Sequence, residues 1–128
     1  MKESGAVAIG GALGALCRYG VALAFPFLTF PWGTLMVNYI GTFLLGVLTS
    51  YAGKRKVAEW LRLAIGTGFC GGLTTMSTFS KETMALWHTH VALANVYVLA
   101  SFVGGLLLCY AGIYVGERAG GKQVGELS

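Results

Sequence analysis

The stretch GFCGGLTTMSTFS, residues 68–80, lies in one of the most apolar parts of the chain, yet it carries two adjacent glycines and five hydroxyl side chains. Glycine is among the poorest helix formers, and serine and threonine compete with the backbone for its own hydrogen bonds. A helix threaded through this stretch is therefore locally weak. Whether the weakness is a surface loop or an interruption inside a packed helix depends on the solvent around the chain, which composition decides.

The 128 residues are 55% hydrophobic and 11% charged, with a mean hydropathy of +0.69. Soluble domains are usually about 25% charged. The acidic residues are five glutamates, with no aspartate. A soluble fold of this size needs a charged surface that this composition does not supply, so the chain reads as a membrane protein. Its length allows one domain with about four spans of about 20 residues. The net charge of +4 does not point to nucleic acid, because the basic residues separate apolar blocks and form no patch with aromatics. They read as topology signals facing anionic headgroups. No cleavable signal peptide is expected, since the first apolar block begins at Gly5 without a long basic segment before it. Cys17, Cys70 and Cys109, odd in number and far apart, are expected to be small buried side chains.

Four apolar spans are expected. The first runs from about Gly5 to Phe25 and ends at the turn FPFLTFP, where Pro26 and Pro31 stop one helix and start the next. The second runs from about Trp32 to Ala52 and is followed by GKRK. The third covers about Glu59 to Trp87, and after the link HTH the fourth covers about Ala92 to Val115. Residues 1–118 form the membrane domain, and residues 119–128 are expected to be a flexible polar tail. With four crossings the amino terminus, the Lys54-Arg55-Lys56 loop and the tail share one side. That side holds Lys2, Lys54, Arg55, Lys56, Arg62, Arg118 and Lys122, against Arg18 and Lys81 on the other, so both termini are placed in the cytoplasm. Gly10, Gly14 and Ala15 in the first span, and Gly104, Gly105, Gly112 and Gly116 in the last, form small faces for close helix packing. Four short helices hardly enclose a pathway alone, so a two-fold dimer is expected.

The opening stretch now has a place. Glu59 to Cys70 and Ser77 to His88 flank it with about 18 Å of helix each, which puts the interruption near the bilayer midplane. Irregular backbone at that depth is tolerated only when it is buried in protein or lines a polar cavity. Broken helices there build ion sites, with freed carbonyls for a cation and a new helix amino terminus for an anion. The alternative is a glycine hinge at a tight helix crossing. Asn38 lies about one and a half turns into the second span, as interhelical glue or as part of the site. Arg18 in the first span either snorkels or faces an aqueous vestibule. Tyr97, Ser101, Gly105 and Cys109 repeat every four residues and share one face of the fourth span.

The segments GGALGALCRYG, PWGTLMVNYIGTFLLG and GFCGGLTTMSTFSKE, in this order and with these gaps, resemble the Fluc (CrcB) family of fluoride channels over nearly the whole chain. The resemblance implies an all-α membrane protein of four transmembrane helices, the third broken at the midplane, assembled as an antiparallel dual-topology dimer in the cell membrane. It implies passive, selective fluoride efflux through pores along the subunit interface, and a central structural Na+ held by backbone carbonyls of both subunits. Those carbonyls correspond to Gly71 and Thr74. The pore asparagine corresponds to Asn38 and the vestibule arginine to Arg18. Thr75, Ser77, Thr78 and Ser80 supply hydroxyls around the break, Tyr97 and Ser101 a polar track on the fourth helix, and Glu82 a position near one pore mouth. Such donors suit fluoride, which is small and strongly hydrated and needs hydrogen-bond donors in series to replace its water. Phe79 contributes a ring edge of positive partial charge.

The chain departs from the family where a pair of phenylalanines is usual, because the first of the pair is Met76. Three readings stand: a methyl or thioether contact suffices, the methionine is an engineered replacement, or the chain pairs with a different subunit. The uneven Lys/Arg distribution raises an oppositely oriented paralogue as partner, beside a second copy of the same chain. A small multidrug-type exporter also has four short spans, but it needs a carboxylate deep in the membrane. Glu3, Glu59, Glu82, Glu117 and Glu126 are all placed near ends or interfaces. A non-transporting or haem-binding subunit would rest on His88 and His90, which sit in a link. No nucleophile–base set points to an enzyme.

Overall fold

The computed structural model describes residues 2–25, 30–54 and 56–127, with side chains as far as residue 120. Pro26, Arg55 and the last residue of the expected tail, Ser128, lie outside the described residues. All regular structure among the described residues is helical. Helix α1 spans Lys2–Ala24, α2 Trp32–Lys54, α3 Glu59–Leu63, a π-helical segment Ala64–Cys70, α4 Gly71–Leu73, α5 Ser77–Thr89 and α6 Val91–Leu127. Three of these are long and apolar enough to cross a membrane: α1, α2 and the Val91–Gly120 part of α6. The chain is a multi-pass membrane protein.

Pro31 starts α2, as its fixed φ suits a helix entry. Its carbonyl accepts the Leu35 N–H at 3.2 Å, and its ring is fully buried. The link expected over residues 88–90 is shorter than the sequence suggests. Helix α5 continues through Thr89, and His90 alone separates it from α6, with φ −141° and ψ 88°. Helix α6 also exceeds its expected end near Val115, and the polar segment from residue 119 carries helical backbone through Leu127.

Packing runs through backbone approach between small residues, the substitute in lipid for a hydrophobic drive between helices. Gly10 and Gly14 of α1 lie against the π segment so closely that a Cβ would run into the carbonyls of Ala64 and Phe69. From the other side, a Cβ on Gly68 would stand 2.7 Å from the Val7 carbonyl. Helices α2 and α6 meet in the same way: a Cβ on Gly46 would stand 2.8 Å from the Cys109 carbonyl, and Gly112 and Gly116 face the Phe43 and Val47 carbonyls. Tyr39 of α2 fills the space over Gly104 and donates its hydroxyl to the Ala100 carbonyl. Gly105 has nothing within 4 Å of where its Cβ would be.

A small apolar cluster forms where α5, α6 and the start of α2 converge, built from Leu35, Phe79, Leu86, Ala94 and Tyr97. The outer faces of α1 and α6 carry exposed Leu13, Leu16, Leu99, Phe102 and Leu106, as surfaces turned to lipid or to another subunit require. Cys17, expected to be buried, lies exposed on the outside of α1, whereas Cys70 is buried. The Lys2 ammonium sits 5.4 Å from the Trp60 ring, and Arg118 Nη1 donates to the Tyr114 hydroxyl at 2.5 Å. These aromatic–basic pairs mark the starts of α1 and α3 and the far part of α6, where an interfacial belt of such residues belongs.

Candidate functional site

The interruption expected over residues 71–76 is confined to residues 74–76, because Gly71–Leu73 remain helical. Gly71 has ordinary helical angles, φ −64° and ψ −38°, and no described glycine has a positive φ. Instead Thr74 is extended, with φ −81° and ψ 157°, and helix resumes at Ser77. Of the pair, Gly72 serves close approach rather than bending. Gly72 presses against the Gly11 carbonyl of α1, and Gly41 of α2 leaves the space occupied by the Thr74 methyl group. A Cβ on Gly71 would meet nothing within 4 Å, and Gly71 lines an open cavity.

The segment before the interruption is a π-helix of seven residues, which the sequence reading missed. π-Helical stretches are rare and usually short, and no residue type marks them. Here the wider turn coincides with the glycine contacts to α1, where backbone meets backbone with no side chain between.

Hydrogen bonds across the interruption follow from side chains. The Thr74 N–H and hydroxyl both donate to the Cys70 carbonyl, at 3.0 and 2.9 Å. The Thr75 N–H leaves the helix and donates to Asn38 Oδ1 at 2.8 Å, while Asn38 Nδ2 donates to the Thr75 carbonyl at 3.1 Å. The Thr75 hydroxyl then accepts the Thr78 N–H at 3.1 Å, an amino-terminal cap in function. The first helical bond of α5 is Ser80 N–H to the Met76 carbonyl at 2.9 Å. As a result, among the described residues no N–H four residues on returns to the carbonyls of Gly71 or Thr74.

Two cavities flank Thr75, which lines both. One, of about 310 Å³, is bordered by Arg18, Tyr19, Thr34, Thr78 and Glu82. The other, of about 370 Å³, is bordered by Asn38, Thr42, Thr67, Thr74, Met76, Phe79, Ser101 and Phe102. Thr42 stands one turn beyond Asn38 on α2 and donates to the Asn38 carbonyl at 2.7 Å. Its spacing from Asn38 could have singled it out, whereas Thr67 on the π segment carried no such signal.

The polar residues expected at the site divide into three groups. Asn38 and Ser101 share the second cavity, and the Ser101 hydroxyl is a buried side-chain oxygen with no hydrogen-bond partner. Arg18, Thr78 and Glu82 share the first. Tyr97 is fully buried, and its hydroxyl donates to Glu82 Oε1 at 3.1 Å. Its ring packs on Phe79, centroids 5.0 Å apart, and Phe79 meets Phe102 edge-on at 6.1 Å. Met76 is 64% exposed at the cavity rim. Ser77 and Ser80 are exposed and line neither cavity. Among the described residues no three His, Cys, Asp or Glu side chains come together as a metal-binding group.

A helical membrane chain with an interrupted helix between two cavities, each bordered by apolar surface and a few polar side chains, has the design of an ion-conducting protein. Comparison with known proteins agrees with that class. The model of the family described as CrcB-like protein, Camphor Resistance (CrcB), matches residues 5–113. The chain is 46% identical to a protein of Bacillus subtilis named fluoride-specific ion channel FluC 2, over 96% of this chain and 94% of that one. It is 43% identical to the FluC 2 of Bacillus licheniformis, over 94% and 92%. It is 46% identical to the fluoride-specific ion channel FluC 1 of Desulfitobacterium hafniense, over 82% and 95%. The chain belongs to the CrcB family of membrane proteins.

Proposed function

We propose that the chain is a fluoride-selective channel that lets fluoride leave the cytoplasm passively across the cell membrane. The observation that carries this reading is the Asn38 cavity. It offers an anion the buried, unpartnered Ser101 hydroxyl and the second N–H of the Asn38 amide, beside the Phe79 ring. Desolvating a small anion is costly unless donors replace its water, and conduction requires that each donor hold it weakly enough to release it. Uncharged hydroxyl and amide donors in series meet both demands. Arg18, across Thr75 in the other cavity, adds a fixed positive charge that raises local anion concentration.

In this reading α3, the π segment, α4 and α5 together make the third of four membrane crossings, with the interruption near the midplane. The carbonyls of Gly71 and Thr74 fit a sodium ion. They are hard oxygen donors, the kind that alkali cations take in membrane proteins, and neither is held by a helical hydrogen bond. Bound there, sodium would supply fixed positive charge. Two carbonyls are too few to coordinate a cation alone, which favours an antiparallel partner contributing its own pair. That partner is a second copy of this chain or a paralogue of opposite orientation. The seven-to-two Lys/Arg asymmetry favours the paralogue, because an antiparallel homodimer needs one sequence to insert both ways. Fluoride efflux from proteoliposomes holding this chain, with and without a candidate partner, tests the reading.

A further inference from the structure

The two carbonyls assigned to sodium lack helical partners for an identifiable reason. In an uninterrupted helix the Gly71 carbonyl would accept the Thr75 N–H and the Thr74 carbonyl would accept the Thr78 N–H. Both N–H groups are occupied elsewhere. Asn38 Oδ1, reaching from α2, takes the first at 2.8 Å, and the Thr75 hydroxyl takes the second at 3.1 Å. Asn38 Nδ2 also donates to the Thr75 carbonyl at 3.1 Å, so one side-chain amide holds both backbone polar groups of Thr75. The Thr74 hydroxyl cannot substitute, since it donates to the Cys70 carbonyl.

We propose that Asn38 and Thr75 are positioning residues for the cation site: their side-chain oxygens take the N–H groups that would otherwise close the helix, and so keep the Gly71 and Thr74 carbonyls available. The proposal rests on the reading of those carbonyls as sodium ligands. It gives Asn38 two tasks at once. Its oxygen holds the cation site open from one side, and its remaining N–H faces the cavity assigned to the anion. The anion path and the cation site then share one side chain, and a change at residue 38 separates them only if the oxygen is kept.

The test uses the purified assembly without fluoride, the full-length chain both as a dimer of identical copies and paired with the oppositely oriented paralogue. Each is titrated with sodium at constant ionic strength against an organic monovalent cation, with thermal unfolding as the readout. The unsubstituted protein gains stability with sodium and saturates. Thr75→Val and Asn38→Leu each remove one accepting oxygen, and each needs at least tenfold more sodium for half the effect. Thr75→Ser and Asn38→Asp keep those oxygens and respond at or below the original sodium concentration. The two disabling changes act on different hydrogen bonds, so one folded variant of the pair is enough to decide. An unsubstituted protein with no sodium response overturns the sodium reading itself. A sodium response that Thr75→Val and Asn38→Leu leave at its original midpoint overturns the positioning role and leaves the sodium reading intact.

Discussion

The Tyr97 hydroxyl donates to Glu82 Oε1 at 3.1 Å while the tyrosine ring lies fully buried against Phe79. A residue placed by its spacing on one face of α6 with Ser101 thus has its proton committed to α5. Its first effect is to hold Glu82 beside the cavity that Arg18 and Thr78 border. Replacing it with phenylalanine keeps the ring packing and removes one hydrogen bond to a charged group. Tyr97→Phe is expected to cost about 1.5–3 kcal/mol of stability, read as a lowered unfolding midpoint. Flux should fall by less than about tenfold, the equivalent of 1.4 kcal/mol on the barrier. A complete loss of flux in a folded Tyr97→Phe protein would mean that the hydroxyl itself meets the ion.

Met76 and Phe79 stand one turn apart but in opposite settings. Phe79 is 9% exposed and clamped between Tyr97 and Phe102, whereas Met76 is 64% exposed at the rim. Phe79→Ile removes a ring edge and two aromatic contacts worth about 0.5–1.5 kcal/mol each, and fluoride efflux should slow severely. Met76→Phe adds a ring where there is room, and efflux should be at least that of the unsubstituted protein. A Met76→Phe protein that is folded and does not conduct would place the Met76 side chain elsewhere than at the path.

Ser101 separates function from stability. Its buried hydroxyl has no partner, so Ser101→Ala breaks no protein hydrogen bond, and stability should stay within about 0.5 kcal/mol of the original or rise. Efflux should nevertheless fall at least several-fold, because an anion crossing the cavity loses a donor. Paired measurements of thermal unfolding and flux on this one variant check both halves.

The small faces make the opposite demand. Gly14→Val would drive a side chain into the Phe69 carbonyl, and overpacking of this kind costs about 1–3 kcal/mol, occasionally more. Gly105→Ala enters open space and should change neither yield nor unfolding temperature. Size-exclusion profiles of the two purified variants, run side by side, distinguish these outcomes.

The membrane class, the long helices and the polar character of the third apolar block are legible in the sequence because each rests on composition or on extended runs. Pro31 and the small faces at Gly10, Gly14, Gly112 and Gly116 are legible for the same reason, as signals with one dominant physical meaning. The point where helix gives way is not. Gly71 and Gly72 mark weak helix, but where it yields is set by Asn38, 37 residues from Thr75 in sequence, through hydrogen bonds that no local pattern announces. The π segment escapes for a related reason, since it is seen only with α1 packed against it. Spacing also placed Tyr97 and Ser101 on one face without separating them. One hydroxyl is engaged by Glu82 and the other is free, and Glu82 comes from a different helix.

The central claim is anion conduction with selectivity for fluoride, and efflux from proteoliposomes tests it most directly. Vesicles holding this chain, alone or with an oppositely oriented paralogue, are loaded with fluoride or with chloride, and the external anion is followed after a permeant cation pathway is opened. Rapid fluoride release with chloride retained, abolished by Asn38→Asp through a negative charge set in the anion path, is the expected result. Fluoride release no faster than from protein-free vesicles, for the chain both alone and with its partner, would contradict the account.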